Sequence, residues 1–272
     1  MVASPSLSER YLKRLGATAP TTRDLASLTT LLEAHLRAIP FDTITPFIGQ
    51  AVSLDPDATL SFAALGELGF NVEYVLARVY ISPGITRPMA KTHTAVVVSL
   101  PEGKFLFDPG FGGYTPTMPV QLGVGDDAQE GKWGTFRAVS AANSIVTSDR
   151  RGDDVHTVME TLVNGTWMAM YGLTKGPVVE ADIEAFNWYV STSPDSHFTK
   201  RLMLSRFAGV EKVTGIDASM KHRTASGVTD YSMDTLEQVG KVLRVDMQLG
   251  ADDALVQKVY NRLLQVGAIK PE

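Results

Sequence analysis

The sequence predicts an α+β fold in three successive parts: an N-terminal helical bundle, a central antiparallel β-barrel and a C-terminal α/β lid. Three observations carry this expectation. The first 70 residues repeat their apolar positions at the helical period. From Asn71 the pattern changes to short alternating runs joined by hairpin turns, and the last third mixes both patterns. The corresponding domains are 1–70, 71–180 and 181–272.

Each element has its own local reason. Ser6 and Glu9 have capping-box spacing; Tyr11, Leu12 and Leu15 fall on one helical face, and Gly16 stops the turn. Over 22–38, Leu25, Leu28, Leu31, Leu32, His35 and Leu36 form an apolar stripe that ends before Pro40. A shorter apolar helix is expected over 61–68, with Ser61 as its N-cap and Gly69 as its stop. Residues 72–80 read as a strand, and 92–100 with 104–107 as a hairpin around Pro101-Glu102-Gly103. A second hairpin, 157–163 with 166–171, turns at Asn164-Gly165, the strongest short hairpin signal. In the last third, 183–190 and 196–207 read as helical. Short strands with polar turns follow, then a terminal helix over 252–266 carrying Leu255, Val259, Leu263 and Leu264.

Composition narrows the function. Hydrophobic residues make up 44% and charged ones 20% of 272 positions, which suits a globular chain with a real core. A net charge of −5 gives no electrostatic reason to expect nucleic acid or an anionic membrane as partner. No apolar run reaches bilayer length, and the first residues have no signal-peptide core, so the expectation is a soluble cytoplasmic protein. There is no cysteine, which excludes a thiolate nucleophile and thiolate metal sites. His35 lies on an apolar helix face and reads as a core or interface residue. His156, His197 and His222 lack ligand spacing, so no metal is expected.

The stretch 91–113, KTHTAVVVSLPEGKFLFDPGFGG, concentrates the chemistry. His93 opens one strand and Asp108 closes the next, which supplies two parts of a nucleophile–base–orienter arrangement. Gly110, Gly112 and Gly113 form a loop whose amides either approach a pyrophosphate or simply make a turn. The spacing matches neither a Walker loop nor a dinucleotide fingerprint.

Motifs in chain order give a resemblance. LRAIPFD at 36–42 is similar to the "IPFEN" stretch of arylamine N-acetyltransferases, Thr92-His93 resembles their "TH" strand, and Asp108 to Gly113 resembles their "DVGFGG" loop. Leu68-Gly69-Phe70, the run near 129–137 and 187–194 also fall where that family's pattern puts them. The resemblance spans essentially the whole chain. It implies the cysteine-protease-like superfold and transfer of acetyl from acetyl-CoA to arylamines or hydrazines through an acetylated cysteine. By resemblance His93 is the base and Asp108 the acid that orients it. Gly110, Phe111, Gly112 and Gly113 are then candidate contacts for CoA, and Phe41 and Phe198 candidate aromatic-pocket residues.

The chain departs from the family at one place. The "RGGxCxE" segment that carries the nucleophile is absent between the "IPFEN" and "LGF" regions, where this chain reads QAVSLDPDATLSFAALGELGF. Ser61, at the head of the following helix, is the nearest substitute nucleophile, although an N-cap needs the same residue. Three readings follow. The family reaction is lost or severely impaired; or His93 and Asp108 support a direct acyl transfer or amide-forming step; or the chain only binds CoA or an aromatic ligand. A missing helix turn also exposes apolar surface, so residues 55–65 should contact another element, with homodimerisation or lid repacking as remedies.

Overall fold

Ser6 and Glu9 start the first helix by capping each other. Ser6 N–H donates to Glu9 Oε2 (2.8 Å) and Glu9 N–H donates to Ser6 Oγ (3.2 Å). Together they set Leu7–Leu15, which ends at Gly16 with φ +62°. The computed structural model describes residues 5–50, 52, 60–81 and 85–270. They divide into two units, Met1–His35 with Leu54–Phe186, and Leu36–Ser53 with Asn187–Glu272.

In the first unit, the Asp24 carboxylate accepts the Ser27 amide (2.9 Å), so the second helix is Leu25–Ala38 and does not begin at residue 22. The next helix is Leu60–Glu67. Ser61 therefore sits inside its first turn instead of capping it, a correction to the expected start. The helix ends at Gly69, whose φ of +86° favours glycine, and Arg23 Nε donates to Leu68 O there (2.6 Å). Ala64 and Leu65 are buried and the Phe62 ring stacks on Tyr74 at 3.6 Å. That is the cover expected for 60–65; residues 55–59 lie outside the described residues.

Eight antiparallel strands make the main sheet of this unit. In spatial order they are Val120–Gln121, Gly103–Phe107, Lys91–Leu100, Asn71–Val79, Thr166–Thr174, Val155–Val163, Gly134–Ser140 and Gln129–Gly131. The Asn164-Gly165 turn has φ of +50° and +78°, as a tight hairpin of this twist requires. The two edges nearly close on each other through one side chain. Gln129 Nε2 donates to Gln121 O (2.9 Å) and Gln129 Oε1 accepts from Gln121 N (2.8 Å), so a side-chain amide takes the place of a strand backbone. The result is a barrel-like sheet.

Its two faces bury different clusters. Met159 joins Ala77, Val97, Leu106, Phe136 and Tyr171 inside the curl, whereas its neighbour Val158 joins Tyr80, Val139, Val146 and Ala169 on the outside. Each such fully buried large side chain contributes about 1.5–3 kcal/mol. At Gly172 a Cβ would stand 2.5 Å from Tyr80 Oη and 2.6 Å from Val155 Cγ1, so glycine is required for Tyr80 to cross the strand.

The second unit is a five-stranded antiparallel sheet in the order Phe41–Asp42, Met203–Ala208, Glu211–Ile216, Ser219–Thr224 and Gly227–Ser232. Helices Leu236–Lys241 and Asp253–Gln265 accompany it, the latter capped by Asp252 accepting from Leu255 N (2.8 Å). Phe47, Leu202, Met233, Val239, Leu243, Met247, Val259 and Leu263 form its core. The expected helix over 196–207 is wrong after its first turn: His197–Lys200 is helical, and Met203–Ala208 is a strand. Leu204, Ser205 and Phe207 are buried, and strands on both sides satisfy the backbone.

Candidate active site

Strand register brings His93 and Asp108 together. Val96 faces Phe107, so one further step places Asp108 beside Ala95, two residues from His93 on the same face. His93 Nε2 and Asp108 Oδ2 are 2.8 Å apart. The side chains are 11% and 1% exposed, so the carboxylate is buried while the ring retains an opening.

Asp108 is held from three sides. Tyr171 Oη donates to Oδ2 (2.5 Å) and Gly110 N–H donates to Oδ1 (3.2 Å). With its carboxylate accepting throughout, the His93 Nε2 carries the proton and Nδ1 carries the lone pair in the neutral ring. Burial first, then the Asp108 charge, pushes the Tyr171 hydroxyl well above its ordinary pKa, so it remains a donor. Phe111 and Tyr171 close on the imidazole edge-on or tilted, with centroids at 4.9 and 4.7 Å, and on each other at 4.6 Å. The arrangement can orient an imidazole and stabilise its protonated form, which is the task of a general base.

The remaining candidates fall differently. The Gly110 amide is engaged by Asp108, and Phe111 packs on His93; Gly112 is buried with φ +73° in the Gly112–Tyr114 turn, beside Gly113. Ser61 makes no hydrogen bond to His93 among the described residues. Phe41 and Phe198 pack edge-to-face at 6.1 Å within the second unit. His35 is a core residue, its Nδ1 2.9 Å from Tyr11 Oη and its ring edge-on to Phe107. Burial, and secondarily the Arg14 charge, lowers its pKa to about 4. Among the described residues no three His, Cys, Asp or Glu side chains cluster as a metal set, and no helix is long and apolar enough to cross a membrane.

Sequence reading alone missed Tyr171. A tyrosine in an otherwise apolar buried strand needs a buried acceptor, and that requirement is the signal that points to it.

Comparison with known proteins gives one consistent result. The N-acetyltransferase family profile matches residues 59–256. An arylamine N-acetyltransferase of Mycolicibacterium smegmatis is 34% identical over 218 residues, covering 72% of this chain and 74% of that protein. The solved arylamine N-acetyltransferase of Mycobacterium marinum superposes with a TM-score of 0.82 at 26% identity, covering 96% of this chain and 99% of that one. The same enzyme in complex with CoA gives 0.81 at 26% identity over 94% and 98%.

Proposed function

The chain belongs to the arylamine N-acetyltransferase family, and from that membership we propose that it binds acetyl-CoA or CoA and a small arylamine-like molecule, with the family's cysteine-borne acetyl transfer lost or severely impaired. One observation supports this most: Asp108 is hydrogen-bonded to both His93 and Tyr171, an arrangement suited to a base and its orienting groups, in a chain with no cysteine. An acetyl-thioester intermediate needs a thiolate; a serine hydroxyl is far less acidic and requires concerted deprotonation. Losing a nucleophile typically costs several orders of magnitude in rate. The proposal takes 1–70, 71–180 and 181–272 as the bundle, barrel and lid, and the cytoplasm as the site of action.

The preserved base favours a second reading, direct acyl transfer. The amine nitrogen attacks the thioester carbonyl, the C–N bond forms and the C–S bond breaks. His93 Nδ1 takes the ammonium proton and delivers it to the departing CoA thiolate, so no covalent enzyme intermediate is needed. Asp108 stabilises the transient imidazolium.

The experiment is acetyl-CoA with p-anisidine, following thiol release alongside intact-protein mass spectrometry. The first reading expects CoA-dependent thermal stabilisation, negligible turnover and no acetylated protein. Turnover that disappears in His93→Ala selects direct transfer. An acetyl group found on Ser61 sinks both.

A further inference from the structure

The outer face of the barrel-like sheet carries a cavity of about 360 Å³, on the side opposite His93. Its lining includes Tyr80, Ile145, Val146, Arg150, Trp167 and Met168, and of all the lining residues only Arg150 is charged. The size lies in the range of small-molecule sites, which combine an apolar lining with few polar anchors.

Arg150 is the anomaly. Its Nε is buried without a hydrogen-bond partner, and its guanidinium makes no hydrogen bond or ion pair among the described residues. The adjacent Asp149 senses the Arg150 charge but forms no ion pair with it. A buried donor left open carries a cost of about 1–3 kcal/mol, which a bound acceptor removes.

The walls around it are built in advance. Glu160, fully buried and paired with Arg137 (2.6 Å), accepts from Ser144 Oγ (2.9 Å) and Ile145 N (3.1 Å). Arg151 Nη1 donates to the carbonyls of Ala141 and Val146, while Tyr80 Oη donates to Arg151 O (3.0 Å). Arg137 stacks over Trp167 at 4.1 Å and fixes that ring. Arg137, Glu160 and Arg151 thus each have a hydrogen-bond partner, whereas the Arg150 side chain has none among the described residues.

We propose that this cavity binds a small organic carboxylate, an aromatic or branched aliphatic acid. The carboxylate lies on Arg150 and the apolar body lies against Trp167, Met168 and Ile145. A guanidinium fork matches a planar carboxylate, and a single cation in an apolar lining suits a monoanion better than a phosphate dianion. This site is independent of the acetyl-transfer reading.

The test is calorimetric titration of the full chain with indole-3-acetate, its neutral amide and inorganic phosphate. Saturable binding of the acid is expected, at least tenfold weaker for the amide and for Arg150→Gln, and retained in His93→Ala. Equal binding of acid and amide, or no binding of the acid, overturns the proposal. So does loss of binding in His93→Ala, which would place the probe at the inner face, or displacement of the acid by phosphate. Should Arg150→Gln melt below the parent, Arg150→Lys keeps the charge without the fork; several-fold weaker binding supports the site, and unchanged affinity overturns it.

Discussion

Two histidines in this molecule each lie against a tyrosine and a phenylalanine ring, yet they differ in kind: His35 is buried, whereas the His93 side chain stays 11% exposed. His35 meets Tyr11 and Phe107 with no carboxylate partner among the described residues, and burial holds it neutral with a pKa of about 4. His93 meets Phe111 and Tyr171 and has Asp108 on Nε2, itself held by Tyr171 and Gly110. Aromatic enclosure alone therefore makes a packing residue. A buried carboxylate on one nitrogen and an opening on the ring are what an imidazole needs if it is to serve as a base.

The comparison is sharpest where the carboxylate is removed. Asp108→Ala leaves the Tyr171 hydroxyl buried without its acceptor and His93 without its orienter. Destabilisation of about 3–5 kcal/mol is expected by denaturant titration. A loss below about 1 kcal/mol would mean that Asp108 does not organise the site.

The next effect belongs to His35 and to pH. The native ring stays neutral down to about pH 4, while the unfolded chain binds a proton below its ordinary 6.5. The unfolded state thus holds more protons across that window, and stability falls as pH drops from about 6.5 to 4, by about 3 kcal/mol in all, then levels off. The double variant His35→Phe with Tyr11→Phe should flatten this part of the curve, since both polar partners are replaced together. An unchanged slope in that variant would assign the pH dependence to other groups.

Two smaller changes test the same chemistry at each site. Tyr171→Phe removes a hydrogen bond to a charged acceptor and should cost about 1.5–3 kcal/mol. Tyr11→Phe removes one to a neutral ring and should cost about 0.5–1.5 kcal/mol. Equal costs would show that the Asp108 charge adds nothing to the Tyr171 bond.

Much of the fold was legible locally. The Ser6–Glu9 box, the Gly16 stop, the Asn164-Gly165 hairpin and the Asp252-capped terminal helix all involve residues within a few positions of one another. The His93–Asp108 pairing was legible as well, because a short hairpin around Pro101-Glu102-Gly103 carries the register from one strand to the next. Residues 203–207 were misread, because strand partners at Phe41–Asp42 and Glu211–Ile216 override the helical appearance of the segment. Ser61 was misplaced by one residue for want of a sharp start signal, since its helix is apolar nearly throughout.

What the sequence determined by itself is what neighbours along the chain decide: caps, tight turns, alternation and the register of a short hairpin, together with the absence of a thiol. What only the tertiary structure decided are contacts across long chain separations. Tyr171 reaches Asp108 over 63 residues, and Arg150 is left facing a cavity on the outer face. Gln129 shows the same dependence at shorter range, for it closes the curl only because the other strands bring two sheet edges together. Such contacts leave no periodic mark in the sequence, because their geometry exists only after the sheet has curved.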